Sequence, residues 1–170
     1  MQTNNKILIA YFSHSGNTYT IAQKIQALTG GDLFEIIAVN PYPQNYDACI
    51  EQAKREQQAN VRPKLAISPT HPATYEMIFI GYPNWWGTMP MPVFTFLETD
   101  NFSGKTIAPF CTHEGSGMGH SEYDIAKYCP QAIVQKGLAI RGSNVDTAKE
   151  SVRSWLTALE MNSDIVVQNR

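Results

Sequence analysis

At 170 residues, with 43% hydrophobic and 16% charged side chains, the chain has the size and composition of one globular domain spanning residues 1–170. A formal net charge of −2 argues against nucleic acids and anionic membranes as partners, because both attract a clear basic excess. The chain has three cysteines and no C-x-x-C spacing, which argues against a disulfide framework. Because the sequence shows neither a leader pattern nor an apolar run of about 18 residues, we expect a soluble cytoplasmic protein.

In the first third of the chain, apolar runs alternate with amphipathic stretches. The run at 7–12 (ILIAYF) is almost continuously apolar, which predicts a strand buried on both faces. Apolar residues at helical spacing predict a helix over 18–28 that ends at a Gly-Gly pair. A second strand is predicted over 33–39, and then a polar helix over 47–59 with Ala48, Ile50 and Ala53 as candidate inner positions. The proline-dotted stretch 62–73 that follows predicts a loop.

The same alternation continues through the middle of the chain. The run MIFIGY predicts a third strand over 77–82. Pro90 and Pro92 then open a predicted helix that extends to Leu97, since proline suits the first turn of a helix. A fourth strand is predicted over 106–112.

Two helices and one strand complete the pattern. Helices are predicted over 121–128 and 146–159, and between them a fifth strand over 132–140, which a Lys-Gly pair at 136 and 137 breaks or bulges. The tail after Met161 has no assigned structure. Five strand–helix repeats predict an α/β domain with a parallel sheet. Ligands of such sheets bind beyond the carboxyl ends of the strands, so the loops there are the candidate sites.

The first candidate loop is SHSGNT, residues 13–18, between the first strand and the first helix. Its hydroxyl and amide groups, its glycine and the free N–H groups of the helix start together suit a phosphate. The loop has no lysine and no P-loop pattern, which favours a phosphate monoester bound by neutral dipoles. An ordinary N-cap turn rich in Ser and Asn is the alternative.

The second candidate loop is PNWWGTMPMP, residues 83–92, directly after the third strand. Two adjacent tryptophans beyond a strand end suit stacking on a flat ring system. A protein–protein contact is the alternative for them. Together with Met89 and Met91 they could form an apolar surface patch suited to a homodimer.

The third candidate loop is THEGSGMGHS, residues 112–121, directly after the fourth strand. Its glycines bring main-chain groups close to a ligand, where they can bind the polar edge of a heterocycle. The likeness to G-x-G-x-x-G is superficial because His120 replaces the third glycine, and His113, Glu114 and His120 lack the helical H-E-x-x-H spacing of a zinc site. The three loops together predict a phosphorylated flat heterocycle, and FMN is the first candidate.

With these three loops in this order, the sequence resembles the flavodoxin family, in its flavodoxin-like oxidoreductase branch, over nearly the whole chain. The resemblance implies a doubly wound α/β fold with helices on both faces of a five-stranded parallel sheet of order 2-1-3-4-5. It also implies non-covalent FMN at the carboxyl edge of that sheet. Because the flavin carries the chemistry, the resemblance implies neither a catalytic side chain nor a metal ligand.

The resemblance further implies which residues bind the cofactor. The phosphate would be held by the first loop: Ser13, His14, Ser15, Gly16, Asn17 and Thr18. One side of the isoalloxazine would be lined by the second: Pro83, Asn84, Trp85, Trp86 and Gly87. The ribityl chain and pyrimidine edge would contact the third: Thr112, His113, Glu114, Gly115, Ser116 and Gly117.

Three details of these loops are left open by the resemblance. His14 would bind through its backbone N–H or through its ring. A glycine-containing peptide, at Gly87 or a neighbour, would flip when the flavin is reduced. Glu114 stands where this branch often has serine or glycine: near the N1/O2 edge of the flavin it would lower the reduction potential, and otherwise it would point to water.

The resemblance implies an FMN-dependent redox protein, with two modes of action open. One is electron transfer to a redox partner protein, although a net charge of −2 is small for an electrostatically steered shuttle. The other is an NAD(P)H-dependent reductase of quinones or other small acceptors, although the short loops leave little material for a nicotinamide pocket. A binding module that has lost the cofactor is a third reading.

Overall fold

A parallel β-sheet runs through the centre of the computed structural model, which describes residues 6–160. Its strands, in chain order, are β1 Ile7–Tyr11, β2 Asp32–Glu35, β3 Met77–Pro83, β4 Thr106–His113, β5 Ile133–Val134 and β6 Leu138–Arg141. The spatial order is β2-β1-β3-β4-β5, with β6 also paired to β4, and every one of these ladders is parallel. The predicted sheet and its order are confirmed. The tail after Met161 lies outside the described residues.

In the described part of the chain, four α-helices connect strands and a fifth follows the last strand. They are α1 Asn17–Thr29, α2 Tyr46–Ala59, α3 Met91–Leu97, α4 Ser121–Tyr128 and α5 Lys149–Glu160. The predicted helices are all present, and α1 ends at Gly30 in the left-handed conformation, as its Gly-Gly stop suggested. The last helix begins later than predicted because Gly142–Thr147 forms a 3₁₀ turn ahead of it.

The fifth predicted strand is split by a bulge. Ile107 of β4 pairs with Val134 and Phe110 pairs with Leu138, so three residues (135–137) face two (108 and 109). One of those two is Pro109, which has no N–H to donate to a ladder. The predicted interruption by the Lys-Gly pair is therefore confirmed, and the proline opposite supplies its physical reason.

The second strand is shorter than the prediction of 33–39. It leaves the sheet after Glu35, and Ala38 forms an antiparallel bridge with Leu65 instead. Two backbone hydrogen bonds flank this bridge, Val39 N–H to Lys64 O at 2.8 Å and Ala66 N–H to Ile37 O at 2.7 Å. Part of the stretch predicted as loop thus pairs with the end of the predicted strand.

Helices cover both faces of the sheet, because successive side chains of a strand point to opposite faces. On β1, Ile9 and Tyr11 pack in one hydrophobic core with α1 and α5, while Leu8 and Ala10 pack in a second core with α3. The apolar face predicted for the last helix is buried as expected: Val152, Trp155, Leu156 and Leu159. Each such large side chain contributes about 1.5–3 kcal/mol to folding.

No helix within residues 6–160 is long and apolar enough to cross a bilayer. The loops after β1, β3 and β4 meet at the carboxyl edge of the sheet, which is where ligands of parallel sheets bind.

Gly81 lies where the middle of β3 meets the ring of Phe110 on β4. The two residues are paired in register, and a Cβ built on Gly81 would lie 2.1 Å from the Phe110 ring. We expect Gly81→Ala to lower the free energy of unfolding by about 1–3 kcal/mol, because the buried ring cannot move aside. Urea unfolding measures this. In a Phe110→Leu background, Gly81→Ala should lower the free energy of unfolding by clearly less. An equal loss in both backgrounds would contradict the proposed clash with the Phe110 ring.

Candidate functional site

A cavity of about 590 Å³ opens at the carboxyl edge of β1, β3 and β4. Its volume falls within the range of roughly 300–1,000 Å³ that is typical of small-molecule sites. All three predicted loops contribute to its lining. The predicted residues that line it are His14, Ser15, Asn17, Pro83, Asn84, Trp85, Trp86, Thr112, His113, Glu114 and Ser116.

The remaining predicted residues lie beside the cavity rather than on its wall: Ser13, Gly16, Thr18, Gly87, Gly115 and Gly117. Several of them give the loops their shape. Gly16, Gly87, Gly115 and Gly117 all have positive φ, the conformation that glycine adopts at least cost. Thr18 is buried, and its hydroxyl lies 2.9 Å from the hydroxyl of Thr112, which ties the first loop to β4.

The first loop, residues 13–18, satisfies part of its own hydrogen bonding. The Ser13 hydroxyl accepts from the N–H groups of Gly16 and Tyr19, both at 3.2 Å. The Asn17 N–H reaches the Ser15 hydroxyl only at 3.5 Å, and among the described residues nothing accepts from the Thr18 N–H. Two amides at the start of α1 are thus available to an anion, at the positive end of the helix dipole.

The electrostatics of the cavity are those of dipoles rather than of cations. Among residues 6–160, no lysine or arginine lines the cavity, and the one carboxylate that does is that of Glu114. An anion site at this helix start stays a prediction, and any anion bound there would be held by dipoles. The N-cap residue itself is Gly16, which has no side chain to cap the helix, while the Ser13 hydroxyl accepts from the Tyr19 N–H in the first turn.

The second loop, residues 83–92, contains a tight hairpin turn. Trp85 N–H donates to Thr88 O at 2.9 Å, and Thr88 N–H donates back to Trp85 O at 3.3 Å. Between them Trp86 has φ 55° and Gly87 has φ 84°, the positive pair that defines a type I′ turn. A left-handed backbone costs a bulky residue about 1–2 kcal/mol, so Trp86 must be held by its surroundings.

Helix α2 holds Trp86 in this conformation. The indole N–H donates to Ile50 O at 3.0 Å, and the Gln57 amide donates to Trp86 O at 3.2 Å. The Lys54 ammonium lies 5.1 Å from the centre of the indole ring, within cation–π distance. These three α2 residues lie on one helix face, since their spacings are four and three.

The peptide between Trp86 and Gly87 is held on both sides. Gly87 N–H donates to the Asn84 side-chain oxygen at 2.9 Å, while Trp86 O accepts from Gln57. Rotating this peptide by half a turn would give a type II′ turn, whose first central position requires glycine. That position is Trp86, so the flip that the resemblance implies for the Gly87 peptide is opposed here by a side chain.

Trp85 is oriented by three aromatic rings packed edge-on against its indole. The ring centres of Phe12, His14 and Tyr42 lie 5.3, 5.7 and 4.9 Å from that of Trp85. The Tyr42 hydroxyl donates to Glu56, and burial together with this carboxylate raises the Tyr42 pKa, so the phenol stays neutral. Trp85 is therefore a fixed wall, with T-shaped contacts that each favour this geometry.

The apolar patch predicted for a homodimer is wrong in its methionines. Met89 is 1% exposed and Met91 is 5% exposed, and both belong to the core beneath α3. Both methionines line a small cavity together with Tyr42, Trp85 and residues of α2. Of the predicted set only Trp86 is well exposed, at 47%.

The third loop, residues 112–121, packs against the second. His120 N–H donates to Gly87 O at 2.8 Å, and the Asn84 amide donates to Gly117 O at 2.7 Å. The His120 ring lies 2.8 Å from Asp124, which also accepts from the Thr88 hydroxyl. Loops two and three thus form one connected wall of the cavity.

His113 and Glu114 lie where the third loop leaves β4. The His113 ring nitrogen accepts from Gly115 N–H at 2.9 Å, so the imidazole shapes its own loop. The Glu114 backbone oxygen accepts from Arg141 at 3.1 Å, and its exposed carboxylate extends along the cavity wall beside Gly142.

Part of the cavity wall was not predicted from the sequence. It comprises Gln44 and, on α2, Tyr46, Cys49, Ile50 and Ala53. The sequence signal was present, because Ile50 and Ala53 are apolar positions in an otherwise polar helix. Of the predicted inner positions, Ala53 is buried as expected, whereas Ala48 and Ile50 are only half-buried and Cys49 is buried instead. Burial, and secondly Glu56, raises the pKa of the Cys49 thiol.

Two glycines of the third loop offer a matched test of the contact between loops. Both have positive φ, but a Cβ on Gly117 would meet nothing within 4 Å, whereas one on Gly119 would lie 2.2 Å from Gly87 O. We expect Gly117→Ala to lower the free energy of unfolding only by the backbone strain, about 1 kcal/mol. Gly119→Ala should lower it by clearly more, because its Cβ would also clash with the second loop. Urea unfolding of both variants measures this, and equal costs would show that the loops can separate.

Comparison with known proteins supports a single family. The chain matches the family model described as Flavodoxin over residues 6–159. A candidate flavoprotein from Bacteroides eggerthii DSM 20697 is 33% identical with a TM-score of 0.80, over 91% of this chain and 98% of that one. The curated proteins gave no match.

Two similar structures contain a flavin. A flavoprotein from Lactobacillus acidophilus NCFM, in complex with FMN, is 27% identical with a TM-score of 0.68, over 84% of this chain and 97% of that one. A flavodoxin from Fusobacterium nucleatum, bound to flavin mononucleotide, is 13% identical with a TM-score of 0.59, over 92% and 98% of the two chains. The second likeness is one of fold alone.

Proposed function

The chain belongs to the flavodoxin family, and from that premise we propose that it binds FMN non-covalently in the 590 Å³ cavity and transfers electrons through it. The observation that carries the proposal is the convergence of three loops, from the ends of β1, β3 and β4, on one cavity. When bound, FMN supplies the redox chemistry, and the protein contributes binding, orientation and electrostatics.

The residues of the cavity fit the parts of this cofactor. Amides at the start of α1, near Asn17 and Thr18, bind the phosphate without a cation. The indoles of Trp85 and Trp86 offer flat apolar surfaces to the isoalloxazine. Main-chain groups between Thr112 and Ser116 bind its polar edge, which needs donors and acceptors at close range.

A small-molecule reductase is the second candidate, with NAD(P)H as donor and a quinone or similar compound as acceptor. The turn at Trp86 favours it over a shuttle that serves a redox partner protein, because the turn opposes the peptide flip implied for flavodoxins. The low net charge also favours the reductase, because a shuttle is usually steered to its partner protein by a larger charge. Either role suits the cytoplasm, where free cysteines such as Cys49, Cys111 and Cys129 stay reduced.

The phosphate site is tested by comparing FMN with riboflavin, which lacks the phosphate. We expect FMN to bind at least about tenfold more tightly, a difference of about 1.4 kcal/mol. Ser15→Asp, which places a negative charge on the cavity wall, should weaken FMN and leave riboflavin unchanged. Ser68→Asp, at an exposed position in the stretch 62–73, is the matched control.

Equilibrium dialysis with absorbance detection gives both affinities. Equal affinities for FMN and riboflavin would contradict the phosphate site while leaving a flavin site in place. A protein that binds neither flavin would contradict the proposed function and favour a binding module without cofactor.

The carboxylate of Glu114 is tested by potentiometry of the FMN-loaded protein. Removing a negative charge beside the flavin favours the added electrons, so we expect Glu114→Gln to raise the two-electron potential by on the order of 10–30 mV. Glu150→Gln, an exposed carboxylate on α5, should leave the potential unchanged. An unchanged potential in both variants would mean that Glu114 points to water.

A further inference from the structure

The carboxylate of Glu114 lies at the end of the cavity where α1 begins. The resemblance implies that Glu114 contacts the ribityl chain and pyrimidine edge of FMN and that Asn17 contacts the phosphate. In the structure both side chains line the cavity and approach one point above Gly142. A Cβ built on Gly142 would overlap Glu114 Oε1 and would lie 2.8 Å from Asn17 Nδ2. The third loop therefore places its one carboxylate beside the first loop.

We propose that Glu114 is a specificity-determining residue of the cavity, whose carboxylate opposes the charge of a phosphate bound at the start of α1. The inference rests on the proposed function, because the phosphate is that of FMN. It goes beyond that function by assigning to one side chain the preference between phosphorylated and unphosphorylated flavin. The cavity then distinguishes the two flavins by a balance, in which amides of α1 attract the phosphate and Glu114 repels it.

The carboxyl end of β6 fixes where Glu114 lies. The guanidinium of Arg141, the last residue of β6, donates to Glu114 O at 3.1 Å. The next residue is Gly142, which begins the 3₁₀ turn that follows β6. Because Gly142 has no side chain, the Glu114 carboxylate and the Asn17 amide can share the space above it. The anchored backbone and this open space together bring the carboxylate to the start of α1.

The Glu114 carboxylate has no ion-pair partner in the part of the chain that the structure describes. None of the ion pairs among residues 6–160 includes it, and the Arg141 guanidinium bonds to the Glu114 backbone oxygen instead. A carboxylate without such a partner repels an anion bound nearby. Because the Glu114 side chain is exposed, water screens this repulsion and keeps it moderate.

The attraction that this repulsion opposes is itself modest. The first loop has no lysine, and the donors at the start of α1 are the N–H groups of Asn17 and Thr18, which belong to neutral peptides. The dipole of a helix start and a single exposed charge act on a nearby anion with similar strength. Removing one carboxylate should therefore change the affinity for a phosphate measurably. The ring of oxidised riboflavin is uncharged, so its binding should hardly respond.

The affinities of FMN and riboflavin for the wild type and for Glu114→Gln test the inference by equilibrium dialysis. Glutamine has the shape of glutamate without its charge, and the exposed position lets the variant fold. We expect Glu114→Gln to bind FMN at least about threefold more tightly, with riboflavin unchanged. Glu150→Gln removes an equal charge from the exposed face of α5, and it should change the affinity of neither flavin.

Ionic strength separates an effect of charge from an effect of shape. The tighter binding of FMN by Glu114→Gln should be largest at about 0.01 M sodium chloride, where the Debye length is about 30 Å. At about 1 M sodium chloride, where that length is about 3 Å, the wild type and the variant should bind FMN almost equally. A difference that stays the same at both concentrations would overturn the inference.

The inference and the proposed function fail in different ways. If Glu114→Gln strengthens FMN and riboflavin equally, or changes neither, then Glu114 does not act on the phosphate and the inference is rejected while the flavin site stands. If neither the wild type nor the variant binds either flavin, the proposed function is rejected, and the role of Glu114 with it.

Discussion

The cavity depends on one constraint, the hairpin turn that holds Trp86 and Gly87 at positive φ. Hydrogen bonds from both sides maintain this turn: Asn84 and His120 bond to it from the third-loop side, and Ile50 and Gln57 bond to it from α2. Each of these bonds contributes about 1 kcal/mol, and together they outweigh the strain at Trp86. Without the turn, Trp86 would lose its position against α2, whereas Trp85 is also held by three aromatic rings.

Much of the fold could be predicted because the pattern of single elements was strong. The continuous apolar runs of β1, β3 and β4 are typical of strands buried on both faces, and α4 was predicted with its observed bounds. A parallel sheet brings the carboxyl ends of its strands to one edge, so the three loops had to meet. Their convergence followed from topology, and no single side chain needed to be placed for it.

The cavity lining and the burial of individual side chains could not be predicted, because they depend on which other element each helix or loop surface contacts in the folded chain. Helical spacing predicted Ala53 and Ile50 as inner positions, and Ala53 is buried, but spacing cannot tell a core from a cavity wall, so the half-buried Ile50 that lines the cavity was misplaced. The same limit explains Met89, which was predicted to lie on the surface of a proline-rich loop and is 1% exposed. The hydrogen bonds of Trp86 to α2 join segments far apart in sequence, which leave no local signal.

The turn at Trp86 also determines how easily a substitution during evolution could change the backbone of this loop. Glycine at that position would permit both turn types, because only glycine occupies the first central position of each without strain. The codons for tryptophan and glycine can differ by a single base, TGG against GGG. One nucleotide substitution therefore separates a backbone confined to one state from a backbone free to switch, with the rest of the scaffold untouched.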